Sequence, residues 1–356
     1  MTCTFLPDTT GKKYFADSCT VPPPPPAGAY YSNIMQGPLF KNCHLIAALS
    51  SLAWINNNFF PDLGETSSYL YSFCDPDPDL SRYPPGTNTP VQVTVSVNSK
   101  IFMDNSTGIW CEASSKAPET WPAMWEKAFA KFCMFKIRKN ISFNNLNNAA
   151  VDPDFSTLSN GSDWGGNPVT VLRYLANNSV RNYPFFTTAG AFSYSCYSAT
   201  NPYDFIKSLC DYTPMIRNRT VAGIGLLNGA KVKYPMGAWT YYNETVANRA
   251  TNKNIVYNSS TISADHCYSI LGIYENNGSR YIVLRNSYGA ADPNLTSLGP
   301  GPWIFYNRQY SIGNLTTVTD TVPRGTSMNL SASDGIFALD ATRFKDYFEG
   351  FGLIGP

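Results

Sequence analysis

The stretch Gln36–Leu52, QGPLFKNCHLIAALSSL, constrains this chain more than any other. Apolar residues recur at Leu45, Ile46, Leu49, Leu52 and Ala53, the spacing of a helix with a buried face. Asn42, directly before Cys43, is a residue type that favours the N-cap. The spacing predicts a loop that runs into a buried helix with a thiol in its first turn. There, unpaired N–H groups and the positive end of the helix dipole favour an anion, so the thiol pKa should fall.

The rest of the chain must build a core around that helix, and 356 residues suffice for one large domain or two lobes. Hydrophobic residues at 43% and aromatics at 14% suit a globular protein, while charged residues at 14% fall well below the usual quarter. A net charge of +1 with no basic stripe calls for neither nucleic acid nor an anionic membrane. The apolar run Leu45–Ile55, broken by Ser50 and Ser51, is too short to span a bilayer.

Nine cysteines are an odd number. With Cys43 set aside as a working thiol, sequence neighbours suggest bridges of Cys3 with Cys19, Cys74 with Cys111, and Cys196 with Cys210. Cys133 and Cys267 lie in apolar runs and read as buried thiols. No CxxC or His-rich cluster suggests a metal site. The sequon N-x-[ST] occurs at Asn105, Asn140, Asn160, Asn177, Asn218, Asn243, Asn258, Asn277, Asn294, Asn314 and Asn329. Low charge, paired-looking cysteines and sequons favour a secreted or lumenal glycoprotein. The start, MTCTFLPDTT, has no signal-peptide core, so the chain is either a processed form or cytoplasmic.

Along the chain, residues 1–27 form an extension that ends in the stiff run Pro22–Pro26. Val91–Val97 alternates as a half-buried strand, with Ile101–Trp110 its expected partner. Thr120 caps a helix over TWPAMWEKAFAKF, with Trp121, Met124, Trp125, Ala128, Phe129 and Phe132 on its buried face. A further helix follows Gly165 and Gly166. Beyond residue 180, strands are expected at 221–227, 264–275, 281–285 and 303–306, with short helices near 204–210 and 342–348.

Only two histidines occur, His44 and His266. His266 opens DHCYSILGIYENNGSRYIVLRNSYG, two strand-like runs about Asn276-Asn277-Gly278, a hairpin signal. Folding about that turn brings Asn286 to within a residue or two of the level of His266. A carboxamide beside an imidazole on neighbouring strands is how a base is held in one tautomer. The set is then a thiol at a helix start, one base and one orienter. The bland alternative, a core thiol and an ordinary strand histidine, is about equally supported by these residues alone.

Five segments carry a resemblance, in order from about residue 28 to the end. GAYYSNIMQGPLFKNCHLIAALSSLA (28–53) resembles the calpain pattern GA–TDICQGxLGDCWLLAALASL, and TWPAMWEKAFAKF resembles W-x-A-L-L-E-K-A-Y-A-K. GSDWGGN (161–167) resembles the calpain stretch with paired glycines. DHCYSILG and RNSYG resemble GHAYSVTG and RNPWG, and DGIFALDATRFKDYF (334–348) resembles DGEFWMSFEDFLRYF. The resemblance implies an α+β, papain-like cysteine protease of two lobes: a helix-rich lobe over 28–166, an antiparallel-β-rich lobe over 167–356, and an active-site cleft between them.

On that pattern Cys43 is the nucleophile, His266 the base and acid, Asn286 the orienter and Gln36 an oxyanion-hole donor beside the Cys43 N–H. Gly165 and Gly166 would line the substrate groove, and Tyr288 stands where an indole would shield the His266–Asn286 bond. Four departures are visible. One extra residue separates Gln36 from Cys43, and His44 replaces a Trp, where it either lowers the thiol pKa or simply packs. The calcium-binding acids are poorly kept, with Asn33 and Ile336 at two of their places and only Asp292, Asp334 and Glu126 as candidates. No EF-hand or other regulatory domain follows the core. The expectation is an endopeptidase acting on peptide or protein substrates with no required cofactor and without calcium control. The alternatives are acyl transfer to an amine on the same triad, as in a transpeptidase or ligase, and a non-catalytic binding or structural protein.

Overall fold

The computed structural model describes residues 3–6, 34–37, 40–55, 68–76, 78–104, 114–115, 121–137, 141–155, 158, 167–175, 182–185, 202–211, 228–251, 253–257, 262–276, 279–289, 303–304, 308–311, 327–330 and 335–354. Of the expectations above, the strand at 221–227, most of the extension 1–27, Gly165, Gly166, Asp292, Asp334, Cys19, Cys111 and Cys196 lie outside these residues. So do the side chain of Cys3 and every sequon asparagine except Asn243 and the backbone of Asn329.

Helices and an antiparallel sheet make the molecule α+β. The sheet runs, in spatial order, Trp303–Ile304, Ile336–Asp340, Ser279–Asn286, Cys267–Asn276, Met236–Thr240, Phe348–Ile354 and Asn182–Phe185. A branch, Asn228–Val232, pairs with the far half of Cys267–Asn276 and in turn with Cys210–Asp211. All these pairings are antiparallel.

The hairpin signal folds as a hairpin. Asn276 pairs with Ser279 across residues 277–278, and the ladder continues to Tyr268 opposite Asn286. A bulge between Ile270 and Gly272 adds one residue to the first strand. Without it Asn286 would face Ser269; with it, Asn286 moves one residue nearer to His266.

The helix Cys43–Ile55 packs along the face of this hairpin that carries Ser269 and Arg285. Ser269 Oγ donates to the Ala47 carbonyl at 2.7 Å, and Trp54 Nε1 donates to the Leu271 carbonyl at 2.8 Å. Ser51 Oγ donates to the Met236 carbonyl and accepts from its N–H, at 2.9 and 2.7 Å. Every residue from His44 to Trp54 is buried. Such a helix lies in the core rather than on it.

In the first half of the chain, Ser68–Asp75 and Val91–Asn98 form a separate two-stranded ladder. Of the partner expected for Val91–Asn98, the described part, Ile101–Asp104, pairs instead with Cys3–Leu6. The strand SYLYSFCD alternates exposed and buried residues over most of its length and satisfies the Val91 face from the other side in sequence.

Against this ladder lies the helix Trp121–Lys136. Phe73 packs on Trp125, Phe129 and Phe132, with ring centroids 5.8, 5.8 and 5.0 Å away. Burial extends beyond the expected apolar stripe to Glu126, Lys127 and Lys131. The two lysines are tolerated because backbone carbonyls receive them. Lys127 Nζ donates to Lys100 O at 2.8 Å, and Lys131 Nζ to Ser96 O and Asn148 O at 2.8 and 2.6 Å. Burial pulls the Lys131 ammonium down to about 8.

Cys43, Cys74, Cys133, Cys210 and Cys267 are thiols. This corrects the bridges expected for Cys74 and Cys210. Both sit inside paired strands, buried, with the Cys210 thiol donating to the Ile206 carbonyl at 3.2 Å. Sequence proximity suggested those pairs, but proximity along a chain does not bring two Cβ atoms to bridging distance. Among the described residues no helix is long and apolar enough to cross a membrane.

Candidate active site

His266 stands just before the strand Cys267–Asn276, two residues ahead of Tyr268, the partner of Asn286. Residues two apart on a strand share a face, so His266 and Asn286 are diagonal neighbours on one side of the sheet. His266 Nε2 lies 2.8 Å from Asn286 Oδ1. The backbone N–H of Tyr288 donates to the same oxygen at 3.0 Å. An atom that accepts from a main-chain N–H must be the amide oxygen, which settles the orientation of the carboxamide. Nε2 therefore carries the hydrogen, and Nδ1 is the ring atom left to face another group.

The imidazole is held on all sides. Tyr288, half-exposed, stacks on it at 4.2 Å between centroids, and Tyr268 meets it edge-on at 5.1 Å. The His266 N–H donates to Thr240 Oγ1 at 3.0 Å, and the His266 carbonyl accepts from the Thr240 N–H at 3.0 Å. Asp265, in the left-handed region at φ 50°, turns the chain into this position, its N–H donating to Tyr241 O at 2.9 Å.

Cys43 opens its helix and is half-buried. Asn42 occupies the N-cap position, since its carbonyl accepts from the N–H groups of Leu45 and Ile46 at 2.9 and 3.2 Å. Its side chain does not cap. Asn42 Nδ2 donates instead to Glu126 Oε1, and Asn42 Oδ1 is buried with no hydrogen-bond partner among the described residues.

The Cys43 thiol is held well below its ordinary range, first by a hydrogen bond from the Cys267 thiol. The charge of His266 and hydrogen bonds with His266 and His44 act in the same sense, outweighing burial, which pushes upward. Thiol, imidazole and carboxamide thus form one contiguous cluster. The carboxyl of Asp265 is raised by burial and by the charge on Cys43.

Gln36 reaches this cluster from the other side. Its N–H donates to Ser287 O at 3.0 Å, and its Nε2 donates to Phe40 O at 2.8 Å. Nε2 keeps a second hydrogen. Arg285, fully buried, donates to Ser50 Oγ at 3.1 Å and to the Ile34 carbonyl, tying the Gln36 segment to the Cys43 helix and to the strand that ends at Asn286. Gly289, at φ 70°, lies against Met35 so closely that a Cβ would come within 2.5 Å of its Cγ.

Ser287 was not singled out by sequence. Its Oγ lies 3.0 Å from His266 Nε2 and donates to Gln36 Oε1 at 3.4 Å, so it joins Gln36 to the imidazole. Cys267 and Thr240 were not singled out either. The signal available for Cys267 and Ser287 was adjacency, one following His266 and the other Asn286; nothing in the sequence points from Thr240 to the site.

Glu126, the one calcium candidate among the described residues, is fully buried, and its carboxylate accepts from Asn42. Among the described residues no group of three or more His, Cys, Asp or Glu could hold a metal ion. Asn243 uses Oδ1 to cap the helix Glu244–Thr251, accepting from Val246 N at 2.9 Å.

No protein-family model matches the chain. It is similar to a curated protein of Porphyromonas gingivalis (strain ATCC BAA-308 / W83) named "Thiol protease", with 22% identity over 329 residues. The match covers 89% of this chain and 53% of that protein, so the chain spans about half the length of the relative it resembles.

Proposed function

We propose that the protein is a calpain-like cysteine endopeptidase with a papain-like arrangement, the Cys43 helix on one lobe and the His266–Asn286 hairpin on the other. The single observation that carries this reading is a thiol at a helix start in contact with an imidazole whose far nitrogen is 2.8 Å from a carboxamide oxygen. The similarity to a protein named "Thiol protease" supports it independently.

In the resting state Cys43 is a thiolate and His266 an imidazolium, with Nε2–H on Asn286 and Nδ1–H towards sulfur. The thiolate attacks the carbonyl carbon of a peptide bond, and the second hydrogen of Gln36 Nε2 and the Cys43 N–H stabilise the oxyanion. His266 Nδ1 protonates the leaving amine as the C–N bond breaks. The neutral ring then takes a proton from water, whose oxygen attacks the thioester; the acid is released and the thiolate returns. Asn286 keeps Nδ1 in position through both halves. The reaction runs without calcium.

Hydrolysis of casein or a peptide library, with millimolar calcium or with a chelator, tests the reading. Activity equal in both conditions, abolished in Cys43→Ala, and blocked by iodoacetamide with one label on Cys43 is the expected result. A folded protein whose Cys43 ignores the reagent would sink the mechanism.

A further inference from the structure

The scheme above leaves the Cys267 thiol unused, although it is buried and acts on the ionisation of the sulfur that does the chemistry. Two repeating steps put it there. Ser269 Oγ bonds the Ala47 carbonyl, which anchors strand to helix at that level. Side chains at 267 and 269 point the same way, about 6.6 Å apart along the strand. Residues 43 and 47 lie one above the other on the helix, about 6 Å apart. The two steps nearly match, so the contact at Ser269 and Ala47 recurs one step back at Cys267 and Cys43. There the two thiols are neighbours, each acting on the other's ionisation.

The direction of donation between them follows from the surroundings. Burial first, then the charge on Cys43 and on Asp265, push the Cys267 thiol well up, so it keeps its proton while Cys43 loses one. We propose that Cys267 is a further catalytic residue whose S–H donates to the Cys43 thiolate, sharing with the His266 imidazolium the stabilisation of the nucleophile. This rests on the reading of Cys43 and His266 given above. His44, buried beside Cys43, acts on the same thiol in the same sense.

The role has a signature that mere packing lacks. A donor to the resting thiolate lowers the pH at which the enzyme becomes competent, but it also dampens the nucleophile, because nucleophilicity falls with pKa. Its loss should slow the enzyme at acid pH and leave it nearly unchanged at alkaline pH. A packing defect should slow it at every pH.

The test is the rate of iodoacetamide alkylation of Cys43, followed by peptide mass mapping from pH 4 to 9, alongside the pH profile of kcat/KM. In Cys267→Ala the alkylation rate at pH 5 should fall about 10-fold or more, the effect of losing one hydrogen bond to a charged group. At pH 8.5 it should match the parent or exceed it by about threefold. Cys267→Ser, which keeps a donor, should track the parent across the range. Superimposable profiles for Cys267→Ala and the parent, or a loss equal at all pH values, overturn the proposal.

Should the variants not fold, diamide on the parent protein reads the contact directly. Diamide takes up the two thiol hydrogens, becoming the hydrazine, and the sulfurs join as a Cys43–Cys267 disulfide that dithiothreitol reopens. No such bridge in protein whose Cys43 still alkylates overturns the inference while leaving the protease reading intact. A Cys43 that never alkylates in folded parent protein overturns both.

Discussion

At the scale of single residues, the imidazole is the group on which most contacts converge. Asn286 Oδ1 accepts two hydrogen bonds, one from the ring and one from the Tyr288 backbone. Removing the carboxamide leaves the ring free to take the wrong tautomer. Asn286→Ala is therefore expected to lower kcat/KM by about 10²-fold, the low end of what positioned acid–base groups contribute. Steady-state kinetics on a fluorogenic peptide will check it, with intact thermal unfolding as the control.

The pH dependence follows from the same cluster. In the proposed mechanism the competent form has Cys43 deprotonated and His266 protonated, so kcat/KM is expected to rise as pH climbs through the Cys43 value. That value is held well below the ordinary thiol range. The rising limb should fall well below the ordinary thiol range. A limb near about 8.5, the ordinary thiol value, would mean that neither the imidazolium nor the neighbouring thiol acts on Cys43.

At the scale of elements, the contact between the Cys43 helix and the sheet decides whether the cluster exists. Ser51 satisfies both backbone groups of Met236 and does so from the middle of the buried helix. Ser51→Ala leaves a buried donor and a buried acceptor without that partner, which costs about 1–3 kcal/mol for each group left unsatisfied. A lower urea midpoint with an unchanged m-value is the expected outcome. An unchanged midpoint would mean that the helix is not docked on Met236–Thr240.

At the scale of the whole molecule, the cysteines distinguish two descriptions. If Cys74, Cys133, Cys210 and Cys267 are buried thiols, they label slowly in native protein, whereas Cys43 labels fast. All five should label on denaturation without reductant. Appearance of Cys74 or Cys210 only after reduction would restore the bridged description. The Arg285 ties to Ser50 and Ile34 belong to this scale too, since one buried guanidinium joins segments some 250 residues apart in sequence.

The elements carrying Cys43, His266 and Asn286 were legible from sequence because each announces itself locally. A helix shows its period of 3.6, and the hairpin shows two apolar runs about an Asn-Gly turn. The partner of Val91–Asn98 was not legible, because strand pairing across distant segments leaves no local mark. The side-chain work of Asn42 was misread for a related reason. Its residue type suits a cap, yet a buried Glu126 from another helix takes its amide.

By itself the sequence determined which residue types stand at the helix start and the hairpin ends, since those follow from spacing and turn chemistry. Only the tertiary structure decided that His266 and Cys267, where one strand begins, both act on the same thiol. It also decided that Ser287 joins Gln36 to the imidazole and that Cys74 and Cys210 remain thiols. Contacts of this kind depend on register and docking angle, which are set by the packing of the whole core and are written in no single stretch of chain.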